Sequence, residues 1–260
     1  MGHIHLGRLP RTKLWQDVVT LLDANADVAA IAAGSAQAAE KSLLDASADP
    51  VFVEAVRLLI SIPMAARHVD FGHELRRLGL DIGSDPTLFD ILGATGTQIG
   101  RIHSTETDRT DLGELAGRAL FAGISSVIGR DLPGLFGPST EDVRLSFRKF
   151  SYSSGIAVLT RAFFGTLVGG SLSYWLDRAL ASRIGAERRF ADVSQKTDFD
   201  RALHLHANEA TRIIQEFSGG WVGKQMHDKG RIDPTAARNF GHVCLKKIVE
   251  ELQARRGRNA

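Results

Sequence analysis

Nucleophilic catalysis needs a serine or cysteine held beside a histidine and an orienting acid. This chain offers one cysteine, Cys244, and nine histidines. Cys244 falls in register with Phe240 and Ile248 on an apolar helical face, where a thiol acts as packing material. No Gly-x-Ser-x-Gly elbow is present. Phosphate cradling needs a glycine loop after a strand, closed by Lys-Ser or Lys-Thr. The run Ser218-Gly219-Gly220-Trp221-Val222-Gly223-Lys224 has the glycines and a lysine but neither that spacing nor the strand. It reads as a helix stop at Gly219-Gly220, with Trp221 displayed on a glycine-flanked loop. An aromatic so placed is a typical interface anchor, so Gly220, Trp221 and Lys224 mark the expected binding surface. His204, Glu209 and His227 are expected around the same break.

Two histidine groupings have ligand types but poor spacing. His68-x-Asp70-x-x-His73 spans a helix entry. His204 and His206 share a helix with Glu209, but residues two apart point about 200° from each other, which is wrong for one metal. His206 falls on an apolar stripe with Leu203 and Ala210, and His204 falls on the polar face. No metal and no cofactor is expected.

Basic residues cluster at Arg144, Arg148 and Lys149, at Arg183, Arg188 and Arg189, and at Lys246 and Lys247 with the tail arginines. A nucleic acid could use them if the fold placed them on one face. Acidic residues interleave, however, and the net charge is only +2, so a solvated mixed surface is the expectation. At the N-terminus, small Gly2 favours removal of Met1 and is the candidate modification point, although Leu6 stands where myristoylation wants Ser or Thr. The first ten residues hold no apolar signal-like core, and a single cysteine fits a reducing compartment. The expectation is a cytoplasmic, bacterial protein.

The elements that must carry these residues read as helices. Asp49-Pro50, Asp85-Pro86 and Asp233-Pro234 place an N-cap acid before proline at the first helical position. Asp111-Leu112-Gly113-Glu114, Ser139-Thr140-Glu141-Asp142 and Thr197-Asp198-Phe199-Asp200 add capping-box-like starts. Helices are expected over 12–23, 27–44, 69–78, 111–128, 139–150 and 197–217, among others, with Pro63 kinking or ending the one that starts at Pro50. Gly93, Gly96 and Gly100, like Gly113 and Gly117 or Gly165 and Gly169, recur at helical spacing and are expected to admit neighbouring backbones. The run from Gly155 to Leu176 is long enough to span a bilayer. Arg161 lies deep within it, and Val168-Gly169-Gly170-Ser171 looks like a break, so two buried core helices are expected and membrane insertion is not.

The fold class is therefore all-α, an irregular bundle of about ten helices in two abutting lobes, 1–104 and 105–260, with the polar stretch 103–110 between them. A helical scaffold with no reactive constellation points to a non-enzymatic interaction or adaptor subunit of a larger bacterial assembly. A multi-gene system such as phage defence is one setting. The alternatives are nucleic-acid binding through the basic clusters, and an enzyme or ligand site at the Gly219-Gly220 break.

Overall fold

A computed structural model of the chain describes residues 9–105, 110–133 and 137–256. The chain is 79% helical, with eleven α-helices and no strand among the described residues. They are α1 (Lys13–Asp23), α2 (Val28–Ala46), α3 (Pro50–Ala65), α4 (Phe71–Arg77), α5 (Leu88–Thr105) and α6 (Asp111–Asp131). Then follow α7 (Thr140–Lys149), α8 (Ser153–Leu180), α9 (Val193–Ala210), α10 (Arg212–Lys229) and α11 (Pro234–Arg256).

The starts follow local chemistry. The Asp49 carboxylate accepts from the N–H groups of Val51 and Phe52 ahead of Pro50, and Asp233 accepts from Ala236 N–H ahead of the last helix. Ser139 and Asp142 form a reciprocal capping box. Three expected starts move. The cap of α6 is Thr110, one residue ahead of Asp111, and its hydroxyl accepts from Gly113 N–H. Asp85-Pro86 precedes α5 without capping it, because Thr87 and Asp90 exchange the capping hydrogen bonds two residues later. The helix expected from Thr197 begins at Val193, where Asp192 accepts from Gln195 N–H. Pro63 sits inside α3, which ends two residues later at Ala65.

Helix α8 is the axis of the molecule, packed against α6, α9 and α10. It runs unbroken for 28 residues, so the break expected at Gly169-Gly170 does not occur. His204 of α9 instead closes directly onto Gly169, and Asn208 onto Gly165, so the glycines admit a neighbouring helix without interrupting their own. Phe163 and Phe164 of α8 meet edge to face, with centroids 4.9 Å apart, and reach Phe52 of α3 and Phe240 of α11. Buried side chains from both sides of position 104 thus join one hydrophobic core. Helices α6 and α8 are both long and apolar enough to cross a membrane by length and composition; the α8 window is 72% buried inside the fold and that of α6 44%.

Candidate functional site

The break expected at Gly219-Gly220 does not exist. Helix α10 continues to Lys229 and stops at Gly230, whose φ of 66° is the left-handed conformation that glycine tolerates. Gly219 is a helix-packing position, since a Cβ there would lie within 2.5 Å of the Ser153 carbonyl oxygen. The true interruption is Thr211, a fully buried residue that ends α9 and begins α10 and whose hydroxyl donates to Asn208 O at 2.6 Å. Sequence reasoning missed it because a threonine inside a helical pattern carries no stop signal.

The expected binding residues consequently do not converge. Trp221 is no loop anchor: it is half-buried in α10, with its ring 4.6 Å from that of Phe240. Gly220, Lys224 and His227 lie on the exposed side of that helix, and His227 pairs with adjacent Asp228. His204 faces α8, with Nε2 3.2 Å from Ser173 Oγ, and Glu209 pairs with Arg161 and Arg212 at 3.4 Å each. None of the six lines the described cavities of about 500, 780 and 310 Å³. Among the described residues no group of three or more His, Cys, Asp or Glu side chains is placed to hold a metal ion. Cys244 is buried, and its desolvation pushes the thiol pKa well above its usual value. Gly2 lies outside the described residues.

Several basic residues are committed internally. Arg144 is 8% exposed, pairs with Glu141 at 2.6 Å and donates to Ala66 O. Arg189 donates to Leu22 O and Ala26 O, closing the α1–α2 turn, and Arg183 beside it pairs with Asp23. Lys149 pairs with Asp131, Arg188 donates to Ser182 O, and Lys247 lies over the Phe217 ring. Arg148 and Lys246 are exposed.

Two features stand out from the rest of the surface. The first is a face on α5 and α6. Phe89, Gly93, Gly96 and Gly100 recur at helical spacing, and Phe89 is 84% exposed. A Cβ at any of those three glycines would meet nothing within 4 Å, so the neighbouring backbone expected there is not present. Beside this stripe a cleft of about 310 Å³ lies between the helices, lined by Gly96 and Ile99 of α5 and by Gly117, Arg118 and 52%-exposed Phe121 of α6. Phe89 lies in register with the glycines, a sequence signal that marks the stripe as a face. Nothing in the sequence says that the face is bare.

The second feature is a cavity of about 500 Å³ where the end of α2, the start of α3, the start of α6 and the C-terminal half of α8 meet. Asp49 Oδ2 accepts the Thr110 hydroxyl at 2.5 Å, and Thr110 Oγ1 in turn accepts from Gly113 N–H, so the caps of α3 and α6 are joined. Tyr174 donates to Asp111 Oδ2 at 2.5 Å; burial and that hydrogen bond both raise the phenol pKa. The Arg178 guanidinium lies over Tyr174 and Trp175, 4.5 and 4.3 Å from the ring centroids. No protein-family model, curated protein or solved structure matches this chain.

Proposed function

We propose that this protein is a non-enzymatic adaptor of a larger assembly and that α5 and α6 form its docking face for a partner's helix. The single observation behind this reading is the bare glycine stripe of α5 beside the α5–α6 cleft. Each helix-interior glycine costs roughly 0.5–1 kcal/mol against alanine. Glycines at 93, 96 and 100 contact no neighbour that requires them. A helix that settles on the stripe and inserts an apolar side chain beside Phe121 supplies the missing reason. Two glycines, Gly96 and Gly117, border the cleft, which favours a backbone approaching closely over a flat loop. Arg118 and Arg101 edge the face, and the exposed Arg118–Glu114 pair contributes little, so the partner helix carries an acidic residue able to take Arg118 over.

The test is a pull-down from the native host, tagged at the C-terminus and treated with nuclease, comparing the native chain with Gly96→Leu and Phe89→Ser. A stoichiometric partner that survives nuclease and is lost with either variant, at unchanged melting temperature, supports the docking face. A partner held equally by both variants removes the face from the proposal. Partners lost on nuclease treatment would point instead to nucleic acid.

A further inference from the structure

We infer that the cavity of about 780 Å³ between α3, the end of α4 and the α10–α11 turn binds an aliphatic carboxylate, an organic acid on a flexible carbon chain. The residue that points to a ligand is Ser61. It lies in the C-terminal half of α3, is only 7% exposed and lines the cavity, and its hydroxyl makes no hydrogen bond among the described residues. A helical serine or threonine commonly turns its hydroxyl back to the carbonyl four residues earlier, as Thr160 does to Ile156 O and Ser171 to Leu167 O. Ser61 makes no such bond. The unpartnered hydroxyls of Ser35 and Ser218 are sealed in the core, but the Ser61 oxygen is open to the cavity. A nearly buried hydroxyl without a partner costs free energy that a ligand's oxygen would recover. Arg57, one helical turn earlier, lines the same cavity with its side chain 14% exposed. Its Nε and Nη2 donate to Glu54, and Nη2 also to Leu78 O, while Nη1 has no partner among the described residues.

The charges around the cavity leave one cation over. Glu74 is held by Arg77, and Asp233 by Ala236 N–H and Lys229. Arg57 answers Glu54. Arg231, exposed on the α10–α11 turn, makes no hydrogen bond or ion pair among the described residues. An incoming carboxylate is therefore placed by the Ser61 hydroxyl and Arg57 Nη1, and Arg231 supplies the charge that nothing yet balances. The other walls choose the body of the ligand. Met64, Leu78, Met226 and Ile232 are apolar, and no phenylalanine, tyrosine or tryptophan lines the cavity. Two of the chain's three methionines stand here, and methionine repacks around chains of differing shape. That surface suits an aliphatic chain better than a flat ring, and a bare inorganic anion would leave it uncovered.

No lining residue belongs to α5 or α6, so the test stands apart from the docking face. Isothermal titration of the whole chain with sodium octanoate and with sodium decanoate measures binding. Octan-1-ol serves as the neutral control and sodium phosphate as the inorganic anion. Both carboxylates should bind, decanoate more tightly. Ser61→Ala removes an unpaired hydroxyl, so it should keep the melting temperature and weaken octanoate at least fivefold. Arg231→Gln, on an exposed turn, should weaken it at least threefold and also leave the melting temperature unchanged. The inference is overturned if neither carboxylate binds at 1 mM, if octanol or phosphate binds as tightly as octanoate, or if either variant leaves the affinity unchanged.

Discussion

Asp49 and Thr110, 61 residues apart, share one hydrogen bond that ties two helix starts together: Asp49 caps α3, Thr110 caps α6, and the Thr110 hydroxyl donates to the Asp49 carboxylate at 2.5 Å. A lost N-cap costs about 0.5–2 kcal/mol. Asp49→Ala should cost about 2 kcal/mol because it also strips Thr110 of its acceptor, and Thr110→Val about 1 kcal/mol. The double variant should be less destabilised than the sum by at least 0.5 kcal/mol. Urea denaturation of the four proteins measures the coupling, and strict additivity would show that the shared bond contributes nothing.

Glycines in this chain do opposite jobs, and alanine substitution separates them. Gly219 faces the Ser153 backbone within 2.5 Å of a would-be Cβ, so Gly219→Ala must separate α8 from α10 and should destabilise by about 1–3 kcal/mol. Gly96 meets nothing within 4 Å, so Gly96→Ala should stabilise the isolated chain by roughly 0.5–1 kcal/mol. Thermal melts of the two variants should move in opposite directions. A destabilised Gly96→Ala would mean that the glycine serves the fold itself and would remove the main support for a docking face.

The helix starts were legible because capping is local: the acid, the proline and the N–H groups they serve lie within four residues, as at Asp49, Ser139 and Asp233. Helix continuity was harder to read. Gly169-Gly170 and Gly219-Gly220 carry the composition of a break, yet α8 and α10 pass through both, because Gly169 and Gly219 are held by the neighbouring elements that close onto them. Packing against another helix outweighs the roughly 1 kcal/mol that a glycine costs. For the same reason the candidate site at 220–227 dissolved. The Asp111, Tyr174 and Arg178 arrangement spans residues more than sixty positions apart, and only tertiary packing brings it together.

Trp221 moves from surface to scaffold. Its half-buried ring against Phe240 predicts that Trp221→Ala lowers stability by about 2–3 kcal/mol, from lost burial plus the ring pair. Trp221→Phe should recover most of that loss. Denaturation midpoints decide the matter. An unchanged midpoint for Trp221→Ala would return the side chain to the surface and make it available to a partner.

His206 gives the fold a defined acid sensitivity. Burial, and secondarily the charge of Arg255, hold its pKa below the ordinary value of 6.5, with Asp27 opposing weakly, and its buried Nε2 has no hydrogen-bond partner. The folded protein therefore prefers the neutral ring, while the unfolded chain takes up a proton from about pH 6.5 downward. Stability should be unaffected by this residue above that pH. It should fall as the pH drops through 6.5 and continue to fall until the folded pKa is reached. His206→Gln cannot take up that proton, so its urea midpoint should shift less than that of the native chain between pH 7.5 and pH 5. Parallel shifts in the two proteins would assign the acid sensitivity to other groups. A larger shift in His206→Gln would mean that the folded state prefers the charged ring.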